Sequence, residues 1–198
     1  MVVPGTYTVS LQQFDGFQFS ELVSPQAFKC VSLNNSTIPM PDQIALDAFN
    51  KKVAELLRVI GGADAFRNEL AEKIKYLKKA VLDAAYVPQS LYAEIVALEL
   101  KLTKINKQIN GDALRAKYES VSPISIKERV DQISGSLWST RSAPTETYKN
   151  SLEIVTNSFE PILISLHSSE KEIKQIEAAL DKYNVPYTPG RVLNWEKK

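Results

Sequence analysis

This sequence of 198 residues has little of the chemistry from which most catalytic and metal sites are built. It contains one cysteine, Cys30, and one histidine, His167. A single cysteine excludes an internal disulfide, and with one histidine beside it the chain cannot assemble a Cys/His zinc site. No recognisable catalytic motif is present, so the sequence predicts how the protein is built more than what it does.

Net charge and long apolar runs are also missing. Lys plus Arg number 24 and Asp plus Glu 23, so the formal net charge is only +1. The electrostatic attraction that drives nucleic-acid binding therefore has no net charge behind it. No apolar run approaches the roughly eighteen residues of a membrane span, and Met1 leads into Val-Val-Pro-Gly rather than into a basic and then apolar leader. We expect no nucleic-acid partner, no transmembrane segment and no signal peptide in this chain.

Residues 1–33 carry the pattern of β-strands. Over residues 6–11, Tyr7, Val9 and Leu11 alternate with threonine and serine, the period of a half-buried strand. Further strand is predicted over 17–23 and 27–33, divided by Ser24-Pro25. Two or three strands cannot cover their own apolar face. We therefore expect a partial β piece of a larger domain, which either folds onto the helices or pairs its edge with a second copy.

The remainder predicts a mainly α protein, with a linker at 34–42, a helical bundle at 43–185 and an extended tail at 186–198. Four helices are predicted, A over 43–85, B over 89–110, C over 125–140 and D over 144–183. Helix D keeps a seven-residue apolar repeat that only Ser169 breaks, and helix A keeps its phase across Gly61-Gly62. We expect one continuous helix A, because a true break would usually reset the phase.

The predicted lengths suggest how the helices pack. A and D have about forty residues each, and short connections usually make sequence neighbours antiparallel. We expect A and D to form an antiparallel coiled coil, with four helices at the end where A joins B and C joins D. This arrangement returns the tail to the N-terminal strands.

Two irregular points lie within the long helices. Pro161 removes a backbone hydrogen bond from helix D, and Arg67 is polar at a position of the apolar seam of helix A. In the antiparallel arrangement these residues lie level with each other. We expect Arg67 to cap the carbonyl of Asn157 or to pair with Glu160, or else to extend along the seam edge into solvent.

The tail carries the strongest candidates for contact with a partner. Tyr187, Arg191 and Trp195 are residue types that are enriched as interface anchors, and prolines at 186 and 189 exclude a helix. They are predicted either to dock on their own module or to bind a partner protein or glycan. The acidic side chains and His167 mostly fall beside the seams, where a structural role is expected, so no catalytic, cofactor or metal residue is predicted.

Several stretches together resemble a known family. They are Pro4-Gly5-Thr6-Tyr7-Thr8-Val9, Gly111-Asp112, Ser142-Ala143-Pro144-Thr145 and the close Val185-Pro186-Tyr187-Thr188-Pro189-Gly190-Arg191 with Trp195. The set resembles the C-terminal part of large bacterial proteins with sortilin-like β-propellers, often labelled glycosyl hydrolases. In that family propeller repeats come first, an immunoglobulin-like strand domain follows, and a helical region closes the chain. The family often has proline soon after the arginine, where this chain has Val192-Leu193.

The resemblance implies a secreted, periplasmic or surface-exposed parent protein. It also implies a non-catalytic module, since hydrolase chemistry would lie on the absent propeller. One hypothesis is a helical stalk or assembly element, whose partners are the missing propeller and strand domain, with a homo-oligomer left open. The alternative is an accessory domain that binds carbohydrate or helps complete a hydrolase site, which an aromatic-lined pocket with convergent polar groups would favour.

Overall fold

The computed structural model describes residues 2–33, 43–118, 121–139 and 142–192. Within these ranges the chain forms a β-hairpin and five helices, which confirms the mainly α class with a small N-terminal β piece. Their bounds are β1 Gly5–Phe14, β2 Phe19–Cys30, α1 Gln43–Asp83, α2 Gln89–Asn110, α3 Ala113–Lys117, α4 Ile126–Ser139 and α5 Glu146–Asp181. The predicted linker, with Pro41 or Asp42 as the opening of the first helix, lies outside the described residues.

The core is made by the apolar repeats that the sequence shows. The predicted seam residues are buried or half-buried along α1, α2 and α5, and helix α1 continues through Gly61-Gly62. In helix α5 the exception to the repeat, Ser169, is itself fully buried and donates its hydroxyl to the carbonyl of Ser165 at 2.9 Å. A serine is tolerated in this seam because its own helix satisfies its hydrogen bond.

The predicted antiparallel pairing of the two long helices is wrong. Lys73 of α1 lies 3.0 Å from Glu177 of α5, and the rings of Tyr86 and Tyr183, just beyond the two helices, are 6.1 Å apart. The C-terminal ends of α1 and α5 therefore lie together, and these helices run parallel. Helix α2 is antiparallel to both, since Lys78 pairs with Glu99, Asp64 accepts from Asn110, and Lys101 pairs with Glu172.

The error comes from the direction of α4. Ser125, just before α4, lies against Gly111 at the end of α2. The C-terminal half of α4 lines a groove with Asn50 and Leu57 in the N-terminal part of α1, so the chain does not reverse between α2 and α4. Helices α2 and α4 thus follow one another as the middle leg of an up-down-up bundle, and the described helices do not form the expected four-helix end.

The connection between α2 and α4 contains the helix that periodicity did not predict. Helix α3 has only five residues and buries none of them. The Asp112 side chain caps it by accepting hydrogen bonds from the backbone N–H groups of Leu114 and Arg115. An aspartate after a glycine is a recognisable capping signal, but one turn is too short to show a seam.

The hairpin also differs from the predicted division into short strands. Strand β2 runs through Ser24-Pro25 without ending, and the register shifts between the pairs Val9/Gln26 and Leu11/Val23 and again before Gln12/Glu21. Each shift places one extra residue on β2. A bulge is one of the few places where a strand accepts proline, because no ladder hydrogen bond is required there.

Candidate functional site

The three tail residues predicted as interaction anchors do not share one environment. Tyr187 is 63% exposed, whereas Arg191 is only 6% exposed. Trp195 lies outside the described residues. Tyr187 is therefore accessible to a partner, whereas Arg191 is buried within the module.

Arg191 holds the C-terminal segment against the end of the bundle. Its Nη2 donates to the carbonyls of Val185 at 2.7 Å and Pro186 at 2.5 Å, while Nε lies 3.4 Å from Oδ1 of Asp181. A turn from Thr188 to Arg191 closes this segment, with Gly190 at φ +85° beside the side chain of Lys73. The segment from Val185 to Arg191 is therefore a docked part of the bundle, on which Val185 and Thr188 are also buried.

This end of the bundle buries polar atoms that lack hydrogen bonds within the described residues. They include Thr188 Oγ1, Arg191 Nε and Nη1, and Asp181 Oδ1. The Arg191 and Asp181 atoms form a close ion pair, but they are not aligned for a hydrogen bond. Because a buried, partly satisfied network is sensitive to the loss of any member, this segment depends on Arg191.

The predicted partners of Arg67 are wrong. Its guanidinium bonds Asp64 at 3.0 Å and Asn68 at 2.5 Å, both on its own helix. In the parallel register set by Lys73 and Glu177, Pro161 lies level with Leu57, about 15 Å along the axis from Arg67. Glu160 and Pro161 are exposed on α5, which continues through the proline. Solvent can therefore satisfy the carbonyl that the proline leaves free.

The hairpin is a candidate interaction surface because one of its faces is apolar and bare. Opposed residues share a face, so the register groups Tyr7 with Phe28 and Leu11 with Val23, and Val9, opposite Gln26, lies between these pairs. The other face carries Thr6, Lys29, Thr8, Ala27, Gln12 and Glu21, and at the turn end the pair Phe14 and Phe19. Such alternation is typical of a strand pair with one face on a core.

None of the described helices covers this apolar face. Phe28 is 51% exposed and Leu11 57%, and β1 and β2 make their extensive contacts only with each other within the described residues. Eleven exposed large apolar side chains lie in residues 2–33. The base of the hairpin touches the bundle where Val2 and Val3 lie near Leu46 of α1 and Leu137 of α4. The hairpin thus extends from the N-terminal end of α1, and the expectation that it folds onto the helices is wrong.

A groove between α1 and α4 lies near the hairpin base. It has a volume of about 450 Å³ and is lined by Asn50, Val53, Ala54, Leu57, Ser134, Leu137 and Trp138. Trp138 is 93% exposed, and Oδ1 of Asn50 is buried without a hydrogen-bond partner among the described residues. The exposed indole of Trp138 can stack on a ring of a ligand and donate a hydrogen bond through its N–H. Neither Trp138 nor Asn50 is predicted as a site residue from the sequence.

Four acidic side chains of α5 form ion pairs; they are Glu170, Glu172, Glu177 and Asp181. Lys101 pairs with Glu172 at 2.8 Å, and Ser168 donates to the same carboxylate at 2.6 Å. These contacts hold the pKa of Glu172 below its ordinary value, Lys101 having the larger effect. His167 is exposed, and within the described residues no group of three or more His, Cys, Asp or Glu side chains is placed to hold a metal ion. The ion pairs fix the register of the helices.

Among the described helices, none is both long enough and apolar enough to span a membrane.

Comparisons with known proteins add no identification. Models of known protein families, curated protein sequences and solved structures all give no match to this chain.

Proposed function

We propose that this chain is a non-catalytic structural and interaction module of a larger secreted β-propeller protein, in which a helical stalk carries a docking hairpin. The observation that supports this best is the bare apolar face of the hairpin at one end of the bundle. Helix α1 has 41 residues and is therefore about 60 Å long. In this proposal the bundle is a rigid spacer, and the hairpin provides the binding surface.

The partner in this proposal is the strand domain of the same parent chain. A two-stranded hairpin is marginal in water and gains stability when its apolar face meets another sheet. Side chains such as Phe28 and Leu11 would then enter a shared core. The family resemblance names that neighbour as an immunoglobulin-like domain that precedes the helical region.

Binding of the polypeptide encoded immediately upstream of Met1 tests this function. Phe28→Lys places a charge on the apolar face, whereas Ala27→Lys places the same charge on the polar face one residue away. We expect the upstream polypeptide to bind the wild type and the Ala27→Lys variant, and Phe28→Lys to weaken binding by tenfold or more, since burying an unpaired charge is costly. An upstream polypeptide that does not bind, or binds both variants equally, would contradict the proposal.

The groove beside Trp138 favours a second candidate, an accessory domain that binds carbohydrate. Sugar rings stack on exposed aromatic rings, and the ring of Trp138 borders this groove. A glycan array probed with the full chain tests this directly. Signals that Trp138→Ala abolishes and Tyr187→Ala retains would support the groove as the site, and an empty array would reject this candidate.

A further inference from the structure

The two outer edges of the hairpin differ in chemistry. Strand β1, ten residues long, contains no charged residue and no proline. Strand β2 carries Glu21, Pro25 and Lys29, and both register shifts place their extra residue on this strand. Charges, proline and bulges are the devices by which natural proteins block a sheet edge from pairing. The edge of β2 is therefore protected, and the edge of β1 is not.

The unprotected edge is also accessible. Every residue of β1 except Tyr7 is exposed, and Tyr7 is half-buried against its own hairpin, its ring 6.0 Å from that of Phe28. Within the described residues, β2 is the only element with which β1 makes extensive contact. The outward N–H and C=O groups of β1 therefore form an open template for another strand.

We propose that β1 pairs antiparallel with β1 of a second copy of this chain, so that two hairpins form one four-stranded sheet. A two-fold axis at Val9 or at Ser10 keeps both apolar faces on the same side, since opposed residues share a face. Because β1 has no charge, no like charges meet across the axis. The inference rests on the hairpin that carries the proposed function, but it uses the edge and leaves the apolar face free.

The size of this contact determines its strength. Ten residues extend about 33 Å, and a sheet edge is roughly 10 Å thick, so pairing buries about 350 Å² on each copy. The total of about 700 Å² lies below the roughly 1,200 Å² of stable specific interfaces. We therefore expect a weak dimer, with a Kd on the order of 100 μM.

Sedimentation velocity of the full chain between about 10 and 500 μM measures this equilibrium around the expected Kd. The decisive variant is Ser10→Lys on the open edge, and its matched control is Ser24→Lys on the protected edge, both at exposed positions. We expect Ser10→Lys to raise the Kd by about tenfold and Ser24→Lys to leave it within about twofold. A monomeric wild type at the highest concentration, or equal effects of the two lysines, would overturn the inference.

Cysteine trapping gives a second readout that does not depend on charge. In a Cys30→Ser background, Ser10→Cys lies opposite its own copy when the axis is at Ser10, and Val9→Cys does so when the axis is at Val9. One of these two variants should therefore form a disulfide-linked dimer on mild oxidation, whereas Ser24→Cys should remain monomeric. Trapping of Ser24→Cys to the same extent would contradict pairing through β1.

The outcomes separate this inference from the proposed function. A monomeric wild type that still binds the upstream polypeptide through the face of Phe28 overturns the dimer alone. If Ser10→Lys abolishes that binding while the wild type is monomeric, a strand of the upstream polypeptide occupies the edge, and the inference of a second copy is again overturned. A dimer that forms while the upstream polypeptide does not bind removes the proposed function alone.

Discussion

Lys73 of α1 and Glu177 of α5 form an ion pair at 3.0 Å, and the carbon chain of the same lysine lies against Gly190. This one side chain connects the two parallel helices with the turn of the C-terminal segment. The contact fixes which residues of α1 and α5 lie level, because a helix rises about 1.5 Å per residue.

The parallel register predicts specific distances between spin labels. In a Cys30→Ser background, labels at Lys52→Cys and Lys182→Cys should lie about 40 Å apart, and labels at Lys52→Cys and Glu153→Cys about 20 Å. All three positions are exposed, so the labels should not disturb the core. Pulsed electron paramagnetic resonance measures both distances, and a short distance for the first pair would restore the antiparallel arrangement.

Replacement of Arg191 should loosen the C-terminal segment. Arg191→Ala removes hydrogen bonds to the carbonyls of Val185 and Pro186 and leaves Asp181 without its ion pair. We expect a loss of about 2 to 3 kcal/mol in the free energy of unfolding, since buried hydrogen bonds from charged groups have this value. Chemical denaturation measures it. The exposed Tyr187→Ala is the control and should change stability by less than about 0.5 kcal/mol, and equal losses would show that Arg191 does not hold the segment.

Glycines in α1 offer a stabilising change. Gly61 and Gly62 are exposed within the helix, and a Cβ at either position meets no atom within 4 Å. Alanine at either site should raise the free energy of unfolding by about 1 kcal/mol, because glycine has a lower helix propensity. Gly111→Ala should instead destabilise the protein, because this residue has a φ of +87°. A thermal melt of the three variants measures these signs, and destabilisation by Gly61→Ala would indicate that the helix is broken there.

The ion pair of Lys101 and Glu172 should contribute to the loss of folding stability at low pH. The folded protein holds the pKa of Glu172 below its ordinary value of 4.5, chiefly through Lys101 and then through Ser168. This contribution to stability is present above pH 4.5 and is lost as the pH falls through the lowered pKa. Glu172→Gln should therefore flatten the decline of stability below pH 4.5, whereas the exposed Glu153→Gln should not. Identical curves for Glu172→Gln and the wild type would rule out this contribution.

The sequence predicts the helices well because their signals are local. The apolar repeats and the punctuation at Pro88, Gly111 and Pro144 define α1, α2, α4 and α5 to within a few residues of their observed ends. Each signal depends on residues three or four apart in the chain. Local periodicity is therefore sufficient to predict these helices.

The direction of α4, in contrast to the helices themselves, has no local signal in the sequence. Residues 112–124 are numerous enough to reverse the chain or to continue it, and no local pattern distinguishes these outcomes. Packing against the long helices determines the direction, because α2 and α4 running in the same direction together cover the full length of α1 and α5. The partners of Arg67 were predicted wrongly for the same reason, since they were inferred from a register that depended on this direction.

The candidate surfaces were predicted in part. Alternation around Tyr7 and Val9 predicts the strand and its apolar face, because a period of two depends on neighbouring residues, but it does not predict that the described helices leave this face exposed. Burial of Arg191 depends on how residues 181–191 fold back on themselves, and the groove around Asn50 depends on the packing of α1 against α4. Such contacts leave no pattern in a single sequence.

The up-down-up order has a mechanical consequence. The hairpin lies at the N-terminal end of α1 and the docked C-terminal segment at the opposite end of the bundle, which corrects the expectation that the tail returns to the strands. A pull applied between these two ends acts along the helix axes and loads the layers of the core together, in shear. The antiparallel arrangement would have brought both points of attachment to one end, where a pull separates the layers one at a time. The observed connectivity therefore suits a part that transmits tension along its length.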